Sequence, residues 1–194
     1  EDYVVWKVCE ECRIPPLVAP TIIEHQKRFY LMGSESPLYV SDSPYGPFKE
    51  LGKICDSEEN EIYIRDPMLF SDEDEALYLY WGLGVDGIYG IELDKKEPWK
   101  GVGEIAHILR FEPEHIWERM GAYNQNTGLS FVEGAWMHKH KGKYYMIYSA
   151  SGTCYSTYAW GVYQSDHPLR NFVYQQRNPI LRKKDGLVAG TGHG

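Results

Sequence analysis

Two acidic residues stand at matching places in this sequence. Asp66, in Ile64-Arg65-Asp66-Pro67, and Glu133, in Phe131-Val132-Glu133-Gly134, each come directly before an apolar, strand-forming run. Two carboxyls brought into one pocket can divide labour. Burial or a neighbouring negative charge keeps one of them protonated, so that it can donate to a leaving oxygen while the other stays ionised. That is the chemistry of cleaving a glycosidic bond. The blander reading is local, because Asp before Pro and Glu before Gly are ordinary turn chemistry. The two readings separate on whether the fold brings the carboxyls together.

The elements that must position them form a repeated unit. Ser41-Asp42-Ser43-Pro44 with Phe48 matches Ser165-Asp166-His167-Pro168 with Phe172, an offset of 124 residues from 41 to 165. That spacing is long for one propeller blade and fits two, with a differently decorated unit between. Each unit has an apolar strand, a polar turn, an aromatic strand and then a third strand. The first runs from Thr21 through the turn at His25-Gln26-Lys27-Arg28 into Phe29 to Ser34. The second runs from Met68-Leu69-Phe70 into Leu77-Tyr78-Leu79-Tyr80-Trp81 and then Gly87 to Leu93. The third runs from Trp136 to His140, turns at Lys141-Gly142 into Tyr144 to Ser149, and continues with Trp160 to Ser165. Aromatic and β-branched residues with closely spaced turns predict an all-β, antiparallel fold. The exception is a long insertion from Asp94 to Ser130. Glu112, Pro113 and Glu114 with Ile116, Trp117 and Met120 predict a short helix over 113–120 that overhangs a binding site. Carboxyls at blade starts converge on the propeller axis.

Composition narrows the partners. The chain has 194 residues, 43% hydrophobic and 14% aromatic, enough to pack one domain. Twenty basic against 28 acidic residues give a net charge of −8, which disfavours a phosphate-neutralising surface and hence nucleic acid. No apolar run approaches the roughly 20 residues that span a bilayer, so no membrane anchor is expected. Glu1-Asp2-Tyr3 lacks the basic start of a signal peptide, which leaves secreted, periplasmic and cytoplasmic locations all open. Cys9-Glu10-Glu11-Cys12 has metal-like spacing. Cys55 and Cys154 supply no second close pair, so the thiols read as ordinary rather than as a zinc site.

The ordered motifs resemble glycoside hydrolase family 43. Ala19-Pro20 with Phe29-Tyr30-Leu31 resembles the family's second blade. Asp66-Pro67 with Phe70, Asp72 and Tyr78-Leu79-Tyr80-Trp81-Gly82 resembles its third. Glu133-Gly134-Ala135-Trp136 with Lys143-Tyr144-Tyr145 and Tyr148-Ser149 resembles its fourth, and Gly190-Thr191-Gly192-His193-Gly194 the opening of its fifth. The resemblance implies a five-bladed β-propeller, incomplete in this chain, with residues 1–194 forming one partial catalytic domain. It also implies an inverting hydrolase of arabinose- or xylose-containing saccharides. In that reading Glu133 is the general acid and Asp66 tunes its pKa. His193 helps to hold a central ion, such as a structural calcium, or a water at the axis, and the chemistry itself requires no cofactor. Trp81, Trp117, Trp136, Tyr155 and Tyr158 are candidates for stacking on sugar rings, most propeller aromatics being core.

The departures matter equally. The family's base sits in an Asp-Pro motif on the first blade, and Glu1 to Val18 contains no Asp-Pro. The base is therefore expected outside this chain, and the first blade and most of the fifth from the rest of the polypeptide or from another chain. Two alternatives stay open. One is a carbohydrate-binding propeller that has lost catalysis. The other is a family 32-like fructan hydrolase, because Arg65-Asp66-Pro67 also resembles the motif of families 32 and 68.

Overall fold

The computed structural model describes residues 11–193. Its twelve strands form three four-stranded antiparallel sheets, each with its strands in sequence order. The first holds β1 (Thr21–His25), β2 (Arg28–Met32), β3 (Leu38–Ser41) and β4 (Lys49–Gly52). The second holds β5 (Met68–Ser71), β6 (Leu77–Trp81), β7 (Ile88–Leu93) and β8 (Gly101–Leu109). The third holds β9 (Glu133–His140), β10 (Lys143–Ala150), β11 (Ala159–Ser165) and β12 (Val173–Tyr174). The first strands of the sheets, β1, β5 and β9, are neighbours across the sheet boundaries. Meanders packed face to face with their first strands converging are the blades of a β-propeller, and the described residues form three.

Burial follows from that packing. Every residue of β6 is buried. Leu77, Leu79 and Trp81 enter the core shared with the first blade, whereas Tyr78 and Tyr80 enter the core shared with the third. A strand with two covered faces needs no polar alternation, which is why Leu-Tyr-Leu-Tyr-Trp reads as one apolar run. Polar links cross the blades as well. Tyr80 donates its hydroxyl to the carbonyl of Pro168 at 2.8 Å. Lys139 of β9 reaches Asp72 at 2.6 Å, and Tyr144 donates to the other oxygen of the same carboxylate. Burial works to raise Asp72, but Lys139 and Tyr144 together hold it below the usual carboxylate range.

The internal repeat has a physical cause. β3 ends at Ser41 and β11 at Ser165, and in each turn that serine's Oγ accepts the N–H two residues on, from Ser43 and His167. The residue at that second place then accepts the next N–H but one, from Tyr45 or Leu169. The motif therefore closes the third strand of two blades with one blade between them, as its spacing predicts.

Two local expectations change. The helix expected over 113–120 is one 3-10 turn, Ile116–Glu118. The residues around it are instead tied by side chains, Arg119 Nε donating to the Pro113 carbonyl at 2.6 Å and Asn124 to those of Trp117 and Arg119. The stretch taken as insertion also contains the nine-residue β8, hidden by its two glycines and by Val102 and Ile105, which are exposed. Among the described residues no helix is long and apolar enough to cross a membrane.

Candidate functional site

β1, β5 and β9 wall a groove of ≈ 670 Å³. Asp66 and His193 line it, together with Ala19, Met68, Gly134 and Trp136. Asp66 sits two residues before β5 with φ of 49°, a left-handed conformation uncommon for a residue other than glycine. Ser34, from the turn after β2, stabilises it. The Asp66 N–H donates to Ser34 Oγ at 2.9 Å, and the Ser34 hydroxyl lies 3.5 Å from Asp66 Oδ1. The neighbouring blade thus fixes the backbone that aims this carboxylate. Strain held by such contacts gathers at functional sites.

Glu133 is the first residue of β9. The pairing of β9 with β10 slips between Trp136↔Ile147 and Glu133↔Ser149, placing an extra residue on β9. Such a bulge re-aims the side chains beside it. Gly134, at φ of 60°, makes the bulge affordable, and a Cβ there would lie 3.3 Å from the His193 ring. The Glu133 side chain is buried, and its Oε1 accepts a hydrogen bond from Tyr158 at 2.5 Å. Burial pushes its pKa up, and the negative charge of Asp66 adds to that. The Tyr158 hydrogen bond and His193 pull the other way. Asp66 thus lines the groove whereas Glu133 does not, but the charge of Asp66 acts on the Glu133 carboxyl.

His193 donates its backbone N–H to Ser149 Oγ at 2.6 Å, which docks the C-terminal stretch beside Glu133. Among the described residues no cluster of three His, Cys, Asp or Glu is placed to hold an ion. Calcium needs six to eight oxygen ligands, and an imidazole nitrogen supplies none. The described residues around His193 do not fit a calcium site. Cys12, Cys55 and Cys154 are free thiols, while Cys9 lies outside the described residues, as do Asp2 and Gly194.

The five aromatic candidates part company. Trp136 lines the groove and is 51% exposed. Tyr158 is buried, and its hydroxyl donates to the Glu133 carboxyl. Trp117 packs on Tyr148 and Gly161 and donates its Nε1–H to the Tyr174 hydroxyl at 3.0 Å. It belongs to the core of the third blade because the insertion folds back onto that blade. Trp81 is buried and stacks on Tyr89. Tyr155 is half-buried in the 151–158 loop and does not line the groove.

Sequence reasoning missed Ser34 and Glu118. No local signal marks Ser34, whose importance arises from pairing with a residue 32 positions away. Glu118, within the insertion, is fully buried. Its carboxylate accepts from the Tyr148 hydroxyl at 2.6 Å and the Glu112 N–H at 3.1 Å, and lies 2.7 Å from His115 Nδ1. Its position between Trp117 and Arg119, in a stretch read as a short helix whose apolar residues are Ile116, Trp117 and Met120, hid it.

Comparison with known proteins follows the same lines. The family model described as glycosyl hydrolases family 43 matches residues 4–194. A xylosidase/arabinosidase of Bacteroides ovatus is 31% identical over 162 residues, 70% of this chain and 46% of that protein. A β-xylosidase of Xylanibacter ruminicola is 29% identical over 186 residues, 79% of this chain and 54% of that protein. Among solved structures, that of a thermostable family-43 glycoside hydrolase superposes with a TM-score of 0.71 at 26% identity, over 90% of this chain and 59% of that one. The chain spans about half the length of these curated relatives.

Proposed function

Because the chain belongs to glycosyl hydrolase family 43, we propose that the protein hydrolyses arabinose- or xylose-containing oligo- and polysaccharides with inversion, Glu133 acting as general acid and Asp66 setting its pKa. The observation that carries this reading is the buried Glu133 carboxyl, raised by burial and by Asp66 at the edge of the groove. A carboxyl so raised keeps its proton at a pH where an ordinary glutamate has lost it. The proton passes to the glycosidic oxygen as the bond from that oxygen to the anomeric carbon breaks. Water attacks the anomeric carbon from the opposite face and gives its proton to a base. None of the residues described here is assigned as that base.

Residues 1–194 form part of the catalytic domain in this reading, and further blades come from the rest of the polypeptide or from another chain. Two facts support it. The curated relatives are about twice as long, and the third blade presents Trp136 and Leu181, 51% and 40% exposed, on its surface. A neutral saccharide, rather than nucleic acid or a membrane, suits the net charge of −8. Specificity between arabinose and xylose rests on the names of the relatives, a xylosidase/arabinosidase and a β-xylosidase.

The test is to assay the protein in its natural full length on aryl β-xylosides and aryl α-arabinofuranosides, following the anomeric configuration of the first product. Hydrolysis with inversion is expected, and product of retained configuration would overturn the mechanism. Binding of xylo-oligosaccharides without turnover would favour the carbohydrate-binding propeller. Residues 1–194 alone are expected to be inactive.

A further inference from the structure

We infer that a second pocket, outside the groove and lined by Tyr63, Arg65, Trp81, Asp86 and Tyr89, is a sugar-binding subsite for the neutral saccharide chain on which the carboxyl pair acts. The inference rests on the hydrolase reading above. The pocket measures ≈ 310 Å³, at the lower end of small-molecule sites and sufficient for one or two sugar rings.

Its position ties it to the chemistry. Arg65 lines the pocket while the next residue, Asp66, lines the groove. The loop after β6 forms another wall. Gly82 donates its N–H to the Arg65 carbonyl at 2.9 Å, and Gly84 exchanges two backbone hydrogen bonds of 3.2 Å with Val132, the neighbour of Glu133. One wall of the pocket is thus the chain neighbour of Asp66, and the loop forming another is hydrogen-bonded to the chain neighbour of Glu133. A saccharide held in the groove could extend over this rim.

The lining has the chemistry of a sugar platform. Tyr63 is 66% exposed, and an exposed tyrosine is ordinarily free to change rotamer. Here its hydroxyl donates to Glu35 at 2.9 Å and accepts from Arg65 Nη1 at 3.4 Å, so an open ring face is held still. Fixing the ring in advance lowers the entropy cost of stacking a sugar on it. Tyr89 is fixed too. It stacks on His107 with centroids 4.6 Å apart and on Trp81 at 6.0 Å, and His107 donates Nε2–H to the Asp86 carbonyl at 2.6 Å. Trp81 and His107 flank Tyr89 from the two neighbouring strands, so Tyr63 is the ring left open to a sugar.

Charge points to a neutral ligand. Arg65 is paired with Glu35 at 2.6 Å and shares the pocket lining with the acidic Asp86, so the lining holds no unpaired positive charge for an anion. Its Nη2 carries no hydrogen bond among the described residues, which leaves a donor for a sugar hydroxyl.

The experiment compares Tyr63→Ala and Tyr63→Phe with wild type in the natural full-length protein, on 4-nitrophenyl β-xyloside and α-arabinofuranoside and on xylo- and arabino-oligosaccharides of two to five units. Tyr63→Ala should raise KM for four- and five-unit substrates about 5- to 10-fold, the size of one lost ring contact. Its kcat and its kinetics on the aryl glycosides should stay within about 2-fold. Tyr63→Phe, which keeps the ring and loses its anchor, should fall between. A length dependence unchanged in Tyr63→Ala overturns the subsite while leaving the hydrolase intact. If wild type hydrolyses nothing, the hydrolase reading fails and calorimetry with the same oligosaccharides decides separately. Binding weakened by Tyr63→Ala upholds the subsite, and binding that is absent or unchanged overturns it.

Discussion

Glu118 and Glu133 are the two buried glutamates among the described residues, and their surroundings differ in one respect that matters. Both carboxyls are pushed up by burial, and both accept a tyrosine hydroxyl, from Tyr148 and Tyr158 respectively. Glu118 is then satisfied on both oxygens by protein, through His115 and the Glu112 N–H, with no exposed surface. Glu133 has Tyr158 alone, its Oε2 carries no hydrogen bond among the described residues, and a second carboxylate stands near it at a groove. A raised pKa by itself does not distinguish a strut from an acid. What sets Glu133 apart is an oxygen without a protein partner and a second carboxylate acting on it.

If Glu118 is a strut, the largest effect of changing it falls on stability. Glu118→Ala should cost about 3 kcal/mol, because it leaves the Tyr148 hydroxyl and the Glu112 N–H buried without an acceptor. Urea denaturation measures this, and a cost below about 1 kcal/mol would show the network to be idle. Its pH dependence has a definite sign. With the folded-state pKa raised above the unfolded value, Glu118 contributes stability that is fully present below the ordinary glutamate value and is lost as pH rises through the raised one. Glu118→Gln should flatten that decline in the thermal midpoint.

Changes around Glu133 should instead move the pH–rate profile and leave stability nearly unaltered. Asp66→Asn removes the negative charge that helps to raise Glu133. The basic limb of kcat/KM should then shift to lower pH, with a loss of about 10-fold at neutral pH. An unmoved limb would remove Asp66 from the role of tuning residue. Tyr158→Phe acts in the opposite sense and more weakly. It deletes a hydrogen bond that favours the ionised form, so the limb should move to higher pH with a rate change of about 3-fold. A downward shift would reverse the assigned sense of that bond.

Much of this comparison was legible in the sequence. The aromatic strands, the Ser-Asp-x-Pro turns and the carboxyls at blade starts are local patterns, and the first strands of the blades meet where those patterns predict. What was hidden depends on pairing at long range. Tyr158 reads as a candidate sugar platform until the 151–158 loop closes on β9, and Ser34 as the end of an aromatic strand until the second blade docks. Trp117 and Glu118 sit in an irregular stretch held by side-chain contacts rather than periodicity, which leaves no pattern to read. β12 is two residues long, too short for alternation to register.

The central claim, that Glu133 delivers the proton, is tested most directly by leaving-group dependence. Glu133→Gln keeps shape and burial but has no proton to give. Assayed in the natural full-length protein, it should lose about 10² to 10⁴ in kcat/KM on unactivated oligosaccharides. On aryl glycosides whose leaving phenolate needs no proton, the loss should be less than about 10-fold. Equal losses on both substrate classes would contradict the account and assign Glu133 to binding or support, like Glu118.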